Sequence, residues 1–357
     1  MTDLTRAVRA ARTDAFPAEG LKLLRERGLM DDLASATAPQ GATPPEMFAR
    51  LVAIGRGDLA LGRLYEGHVN AAGLVHRLGT RAQRESLTGF MGATPLMGVW
   101  GADDFADPGR LERTAGGYVL RGRKTYASGA AALDAPLIVV RDEDARSVVA
   151  IVPTERLAGR FDPDWWQPLG MRTTDSFAVS IEGLELSASD LLGAPNDYLA
   201  QPYFGGGAVR FAAVQTGGIL AVWDAMRDHL ARAGRHADPH QAARLGEALG
   251  AAEACYAGVA GAYARLAEAI GWEAADADPA LGLVADAART LPREAGERVM
   301  ALATRAVGCA GLMAGHSLER AIRDLTVYLR QPAPDAALTR AGEAAASGAY
   351  EPSFGAA

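Results

Sequence analysis

This 357-residue chain has two cysteines, Cys255 and Cys309, set in apolar, helix-like surroundings with no metal-ligand spacing. That excludes a disulfide scaffold and leaves both as expected core residues. It has no excess of positive charge: the net charge is −7 and the pI about 5.5, which argues against nucleic acid or an anionic membrane as partner. It has no hydrophobic run of membrane-spanning length. Residues Met1 to Phe16 mix Asp3, Arg6, Arg9, Arg12 and Asp14 with apolar residues instead of building a signal core. The expectation is a cytoplasmic protein. His68, His76, His229 and His316 show no metal spacing, so no metal is expected. No internal repeat is visible, and the only compositional bias is toward alanine. What is there is ordinary for a globular protein, 49% hydrophobic and 22% charged, and long enough for two or three domains with real cores.

The pattern of residues changes twice along the chain. Residues 1–95 read as helices: Leu21 and Leu24 stand three apart among charged neighbours, and Thr43-Pro44-Pro45-Glu46 is a helix start. Gly55 to His76 is rich in small residues, which suits close helix–helix packing. Residues 96–195 alternate short β-type runs with turns, among them Tyr118–Leu120, Leu137–Val140, Val148–Val152 and Phe177–Ile181. Gly116-Gly117 and Asp142-Glu143-Asp144 serve as hairpin connections. An antiparallel β domain is expected there. Residues 196–346 return to long Ala- and Leu-rich helical stretches, Val209–Leu230, Gln241–Ile270, Pro279–Cys309 and His316–Tyr328. A flexible tail, 347–357, follows.

The stretch from Gly116 to Arg141 reads strand, functional turn, strand. Its centre, Lys124-Thr-Tyr126-Ala-Ser128-Gly129, resembles the flavin-facing G-x-K-x-W-I-T-N-G segment of the acyl-CoA dehydrogenase family. Other blocks in the same order are similar to that family: Ile54–Ala60; Gly98–Asp103; Pro168–Ser176, like the L-G-x-R hairpin; and His240-Gln241, Gly308–Gly311 and Arg323-Asp324 in the last third. The resemblance implies a mixed α and β fold: an N-terminal helical domain, a central antiparallel β domain and a C-terminal four-helix bundle. It also implies FAD between the last two and a homodimer or homotetramer.

Carried over residue by residue, Tyr126 takes the place of the Trp that covers one flavin face. Ser128 takes the Thr place, where a hydroxyl and a backbone N–H meet flavin N5 and O4. Gly129 lets the backbone approach closely. Trp100 is a packing residue or a pocket wall. Ala102 stands where the family carries a flavin-contacting Thr. Arg232 or Arg235 is the candidate for the FAD pyrophosphate, although the R-x-x-F pattern is not intact. His240, Gln241 and Gly308 belong to the adenine side, with Arg305 replacing the usual Gln. Asp175, Ser176 and Arg210 are the substrate-side candidates.

The active-site turn departs from the family. The Glu that removes the substrate α-proton in dehydrogenases falls on Pro332, within Tyr328-Leu-Arg330-Gln331-Pro332-Ala-Pro-Asp335. The alternative helix position falls on Val209, beside Arg210. Asp335 is the nearest carboxylate, and a capping role after Pro334 competes for it. The resemblance implies an FAD-dependent oxidoreductase that dehydrogenates an acyl thioester, served by an electron-transfer protein. A first alternative is a flavin-dependent monooxygenase fed by a flavin reductase, in which Arg330 and Gln331 stabilise an oxyanion. A second is a non-catalytic binding or assembly subunit of the same fold.

Overall fold

The computed structural model describes residues 1–30, 44–90, 95–269, 279–330 and 333–349. Five helices come first: α1 (Asp3–Ala11), α2 (Ala18–Glu26), α3 (Pro44–Gly57), α4 (Leu59–Leu78) and α5 (Arg81–Phe90). Leu21 and Leu24 are buried on α2, as their spacing predicts. Helix α3 opens at Pro44, with Glu46 in its first turn; Thr43, the expected cap, lies outside the described residues. Asp58 separates α3 from α4, and its side chain accepts from the N–H groups of Ala60 and Leu61 at 2.9 and 3.3 Å. That satisfies donors that a helix start leaves open.

Ten strands follow: β1 (Met97–Trp100), β2 (Arg110–Thr114), β3 (Gly117–Arg121), β4 (Arg123–Ala127), β5 (Ala135–Arg141), β6 (Ser147–Ile151), β7 (Phe161–Asp162), β8 (Phe177–Ser180), β9 (Leu184–Leu186) and β10 (Leu191–Leu192). One sheet runs β10-β6-β5-β2-β3-β9 with β1 also on β5; a second runs β4-β8-β7. The two expected hairpin turns lie between β2 and β3 and between β5 and β6. The expected antiparallel domain is corrected in one respect. β1 runs parallel to β5, Met97 opposite Ala135 and Trp100 opposite Ile138, and Arg110 pairs with Arg141 in the same sense. The chain from β1 to β2 follows one edge of β5 in a single direction, so both pairings are parallel. Every residue of β6 is buried, the apolar run of a strand covered on both faces.

Among the described residues the last third holds six helices, where four helical stretches are expected: α6 (Tyr203–Arg232), α7 (Pro239–Ala269), α8 (Pro279–Ala288), α9 (Leu291–Val307), α10 (Ser317–Tyr328) and α11 (Pro334–Ala346). The expected Pro279–Cys309 helix breaks in two because Pro292, in the first turn of α9, has no N–H to continue a helix. Helix α6 begins before Val209 and takes in Gly205-Gly206-Gly207, against their poor intrinsic propensity. Close packing selects glycine there: a Cβ on Gly205 would sit 2.9 Å from that of Ala285. Cys255 is buried beside Thr216, 3.6 Å from its hydroxyl. Cys309 is exposed, a correction: Gly308, at φ 74°, ends α9 and turns the chain outward. Among the described residues no single helix is long and apolar enough to cross a membrane.

Helix α6 is the hub. It packs against α3, α4, α7, α8, α9 and α10, and it meets α3 backbone to backbone. A Cβ on Gly217 would lie 2.4 Å from Val52 O, and one on Gly55 2.5 Å from Val214 O. Neither backbone can give way without parting the helices. Gly217→Ala is expected to cost about 1–3 kcal/mol or more by overpacking, read as a lower midpoint in urea unfolding, with Gly246→Ala, where a Cβ meets nothing within 4 Å, as the tolerated control.

Candidate functional site

Strand β4 and the turn after it form one wall of an open cradle. Tyr126 adopts φ 52°, a region costly for a non-glycine residue and typical of residues whose direction matters. Its ring is 45% exposed and meets Trp165 edge-on with centroids 4.9 Å apart; Trp165 in turn stacks near Trp166. Two residues on, Ser128 is nearly buried. Ser176 Oγ donates to Ser128 Oγ at 2.9 Å, so the Ser128 proton is left without an acceptor among the described residues. Gly129, at φ 74°, donates to Thr174 O at 2.8 Å. Trp100, 1% exposed, donates from Nε1 to Ser128 O at 3.2 Å and so packs against the turn.

The segment 101–104 runs beside β4. Gly101 and Ala102 are exposed, and Ala102 O accepts from Thr125 N at 3.0 Å. Lys124, one of only two lysines in the chain, is fully buried. Its Nζ donates to Asp103 Oδ1 at 2.5 Å, Val139 O at 2.7 Å and Gly101 O at 3.2 Å. All three ammonium protons are used to tie 101–103 to β5. Burial pulls the ammonium below the usual lysine range, against the pull of Asp103.

The opposite lip is the 168–176 hairpin. Gly170 touches α10 so closely that a Cβ would lie 2.1 Å from Arg323 O. Met171, at φ 59°, donates its N–H to Asp324 Oδ1 at 2.6 Å. Burial pushes the Asp324 carboxyl up, opposed by the Met171 N–H and Arg320. Asp175, at φ 45°, is half-buried, and burial raises its carboxyl too. The Arg-Asp pair therefore holds the hairpin by its backbone, leaving Ser176 beneath Ser128.

Behind Gly101 lies a buried polar cluster made by α4, α6, α10 and the turn at Tyr198. Glu66, 2% exposed, takes Arg63 Nη1 at 2.8 Å on one oxygen and Asn70 on the other. Asn70 Oδ1 accepts from Arg210 Nε. Burial raises the Glu66 carboxyl, opposed by Arg63 and Arg210. Tyr198 is pushed up to about 12 by burial and by Glu66; its hydroxyl lies 4.0 Å from where a Cβ on Gly101 would be. The Tyr328 ring packs on Phe211 at 4.3 Å, and its buried hydroxyl, like Arg63 Nε, has no hydrogen-bond partner among the described residues.

The remaining expected residues gather at one end of the helical region. Arg298 pairs with Glu247 at 2.8 Å and Gly258 abuts Leu291, so α7 and α9 run antiparallel. The end of α9, with Arg305 and Gly308, thus shares an end with the start of α7, with His240 and Gln241. Arg232 and Arg235 close α6 there. Arg232, Arg235, His240, Arg305 and Gly308 are all exposed. In the amide orientation that satisfies its neighbours, the buried Gln241 accepts from Arg235 Nη2 at 2.7 Å and Arg244 Nη1 at 3.2 Å.

The structure thus brings Tyr126, Ser128, Gly129, Ala102 and Ser176 together; Arg210 lies on α6, held by Asn70. Arg330 pairs with Glu297 at 2.8 Å and Asp335 with Arg293 at 2.5 Å, the Asp335 side chain 90% exposed. Both point to ion pairs between helices. Gln331 lies outside the described residues. Sequence reasoning missed Glu66, Arg63, Asn70 and Tyr198. The available signal was the spacing Arg63, Glu66, Asn70, three and four apart on one helix.

No family model matches the chain. A dibenzothiophene monooxygenase from Rhodococcus qingshengii is 30% identical over 174 residues, 44% of this chain and 40% of that protein; one from Mycolicibacterium goodii is 29% identical over 196 residues, 49% of this chain and 45% of that protein. The matched region thus spans less than half the length of these curated relatives. Among solved structures, FMN-bound TdsC from Paenibacillus sp. A11-2 aligns with a TM-score of 0.82 at 19% identity, over 96% of this chain and 95% of that one. Butyryl-CoA dehydrogenase from Megasphaera elsdenii aligns at 0.80 and 16% identity, over 96% and 98%. The chain has the acyl-CoA dehydrogenase fold.

Lys124→Met removes the buried donor that serves two backbone carbonyls and Asp103, and leaving such partners unmade is expected to cost about 1–3 kcal/mol. The loss has a pH signature. Because folding lowers the Lys124 pKa from its ordinary 10.5, the unfolded chain binds more protons between the two values. The stability of the native protein relative to Lys124→Met therefore rises with pH through that window. Urea unfolding of both proteins from neutral to alkaline pH measures it.

Proposed function

We propose that this acyl-CoA dehydrogenase-fold chain is a flavin-dependent monooxygenase that uses reduced flavin and molecular oxygen on a small organic substrate. The observation that carries the reading is that, among the described residues, no free carboxylate stands where a dehydrogenase of this fold needs its base. A general base must reach the proton it removes. On α6 that place is taken by Val209 and Arg210. Near the end of α10, Glu66 has both oxygens engaged and Asp335 is turned out to Arg293. The partial likeness to dibenzothiophene monooxygenases supports the same reading.

The cradle suits a flavin. Tyr126 offers an exposed ring at a fixed angle, the Ser128 hydroxyl has an uncommitted proton, and the exposed backbone at Gly101-Ala102 lets a flat ring approach. When bound, the reduced flavin supplies two electrons to oxygen, so that one oxygen atom enters the substrate and the other leaves as water. The chain's own residues do the rest. Tyr126 and the two tryptophans shield the ring from water. Ser128, locked by Ser176, donates to its polar edge. Lys124 and Asp324 hold the two lips in place. Arg232, Arg235, His240, Gln241, Arg305 and Gly308 would meet the adenosine half if the flavin is FAD, across a homodimer or homotetramer interface; FMN would leave them unused. A separate flavin reductase is the partner this chemistry requires.

Titration of the purified protein with FMN and with FAD, each oxidised and reduced, tests the reading. Binding of reduced flavin, oxygen consumption, and transfer of isotopically labelled oxygen from O2 to an aromatic heterocycle such as indole are expected, with no anaerobic bleaching by an acyl-CoA panel. Bleaching by an acyl-CoA would restore the dehydrogenase; no flavin retained in either redox state would leave a binding subunit. Tyr126→Ala is expected to weaken flavin binding by about tenfold, on the order of 1 kcal/mol for one aromatic contact, without lowering the unfolding midpoint, since the ring is exposed.

A further inference from the structure

Asp324 holds one lip of the cradle through the Met171 N–H, and a second layer of charge holds Asp324. Arg320, one turn earlier on α10, donates from Nε to Asp324 Oδ2 at 3.4 Å. From Nη1 it donates to Thr13 O at 2.6 Å and Asp14 Oδ1 at 2.9 Å. Its Nη2 is buried, without a hydrogen-bond partner among the described residues, 3.7 Å from Asp58 Oδ2. Arg12, just past α1, faces Asp58, Asp324 and Arg320, and Arg323 faces Asp324 from α10 itself. Burial pushes the Asp324 carboxyl up and Asp58 adds to it; the Met171 N–H, Arg320 and Arg323 oppose them, Arg320 more strongly than Arg323.

The bonds run on from Met171 into the cradle. Met171 O accepts from Thr174 Oγ1 at 2.8 Å, Thr174 Oγ1 lies 2.7 Å from Ser176 Oγ, and Ser176 Oγ donates to Ser128 Oγ at 2.9 Å. A hydroxyl has one proton. Ser176 spends its own on Ser128, so the proton between Thr174 and Ser176 belongs to Thr174, and Met171 O draws on the same proton. The place of Met171 therefore sets how firmly Thr174 donates to Ser176, and linked hydroxyls polarise one another. Met171 itself keeps φ 59°, a conformation that only surrounding bonds sustain.

We propose that Arg320 is a positioning residue of the cradle: it holds Asp324 against Met171, and through Met171, Thr174 and Ser176 it sets how the Ser128 hydroxyl donates to the flavin edge. The inference deepens the flavin reading and rests on it for the ligand; the grip on the hairpin stands without it. With the guanidinium gone, Asp324 is left to burial and to Asp58, and takes up a proton at a higher pH than in the parent. A neutral carboxyl accepts from the Met171 N–H more weakly than a charged one, and the lip slackens.

The test is the dissociation constant of the tighter-binding of FMN and FAD, by fluorescence titration from about pH 8 to about pH 5, with the melting temperature taken at each pH. Arg320→Met is expected to bind flavin about fivefold more weakly at the acid end than at the alkaline end, while the parent's fall begins at lower pH. Asp324→Asn, with a permanently neutral acceptor, should match the acid limit of Arg320→Met at every pH, and the double variant should equal Asp324→Asn alone. Arg320→Lys should fall between Arg320→Met and the parent. Asp14→Ala, which cuts only an exposed contact, should bind flavin as the parent does. An arginine that only staples α10 to the N-terminal segment would lower the melting temperature and leave the pH profile of flavin binding as in the parent. That result, or parent-like flavin binding by Asp324→Asn, overturns the inference. If the parent retains neither flavin in either redox state, the flavin reading fails. Amide exchange of the 168–176 hairpin in the flavin-free protein then decides: protection lost in Arg320→Met toward acid pH, relative to the unfolded chain, upholds the grip on the lip, and protection equal to the parent's overturns it.

Discussion

A helix enclosed on every side cannot hide a polar group without bringing its partner, and α6 is such a helix. It passes against six others, and two of its charged residues, Asp224 and Arg210, are answered by side chains of other helices. Near its end Asp224, 1% exposed in its side chain, is met by Arg56 at 2.7 Å and Arg9 at 2.9 Å. Burial lifts that carboxyl, but the two arginines outweigh it and hold it below its usual range. Toward its start Arg210 is met by the Asn70–Glu66–Arg63 row. In the first case the charges close on one another. In the second, Asn70 stands between Arg210 and the Glu66 carboxylate, so the arginine meets it only through an amide. The same helix thus shows a direct and a bridged answer to a charge.

The two lips of the cradle follow the same economy. A lysine with no exposed surface and a buried aspartate are poor choices for stability alone, since desolvation opposes both. Each spends its hydrogen bonds on backbone: Lys124 on the carbonyls of Gly101 and Val139, Asp324 on the N–H of Met171. Backbone held this way cannot drift as side chains repack. The strained φ angles at Tyr126, Met171 and Asp175 sit next to these anchors, where surrounding bonds can sustain them. Rigid lips around an exposed ring are the condition for a flat ligand to bind without first ordering its site.

Much of this was legible in the residue order. The helix–strand–helix succession follows from a change in hydrophobic period, and the turn around Ser128 from glycine and hydroxyl residues between apolar runs. The parallel pairing of β1 with β5 was not legible, because alternation reports faces, not strand direction. Nor was the glycine-rich start of α6: propensity disfavours it, and the contact of Gly205 with Ala285 that requires it comes from a segment eighty residues away. Cys309 followed composition into the core on paper, yet one glycine at positive φ puts it outside. Glu66 was passed over because a lone Glu among small residues reads as a solvated position until α6 is laid across it.

The site's charge argues about chemistry more firmly than its fold does, because one fold carries many reactions. Abstraction of a proton next to a thioester needs a carboxylate free to change its charge. Here the one buried carboxylate of the cluster is bound on both oxygens and the adjoining helix offers a cation. Such a site has no free group to take that proton. Oxygen transfer from a reduced flavin makes the opposite demand: an electron-rich substrate, kept oriented and kept from water. A reaction without that proton abstraction asks nothing of Glu66 except that it stay where Arg63 and Asn70 hold it.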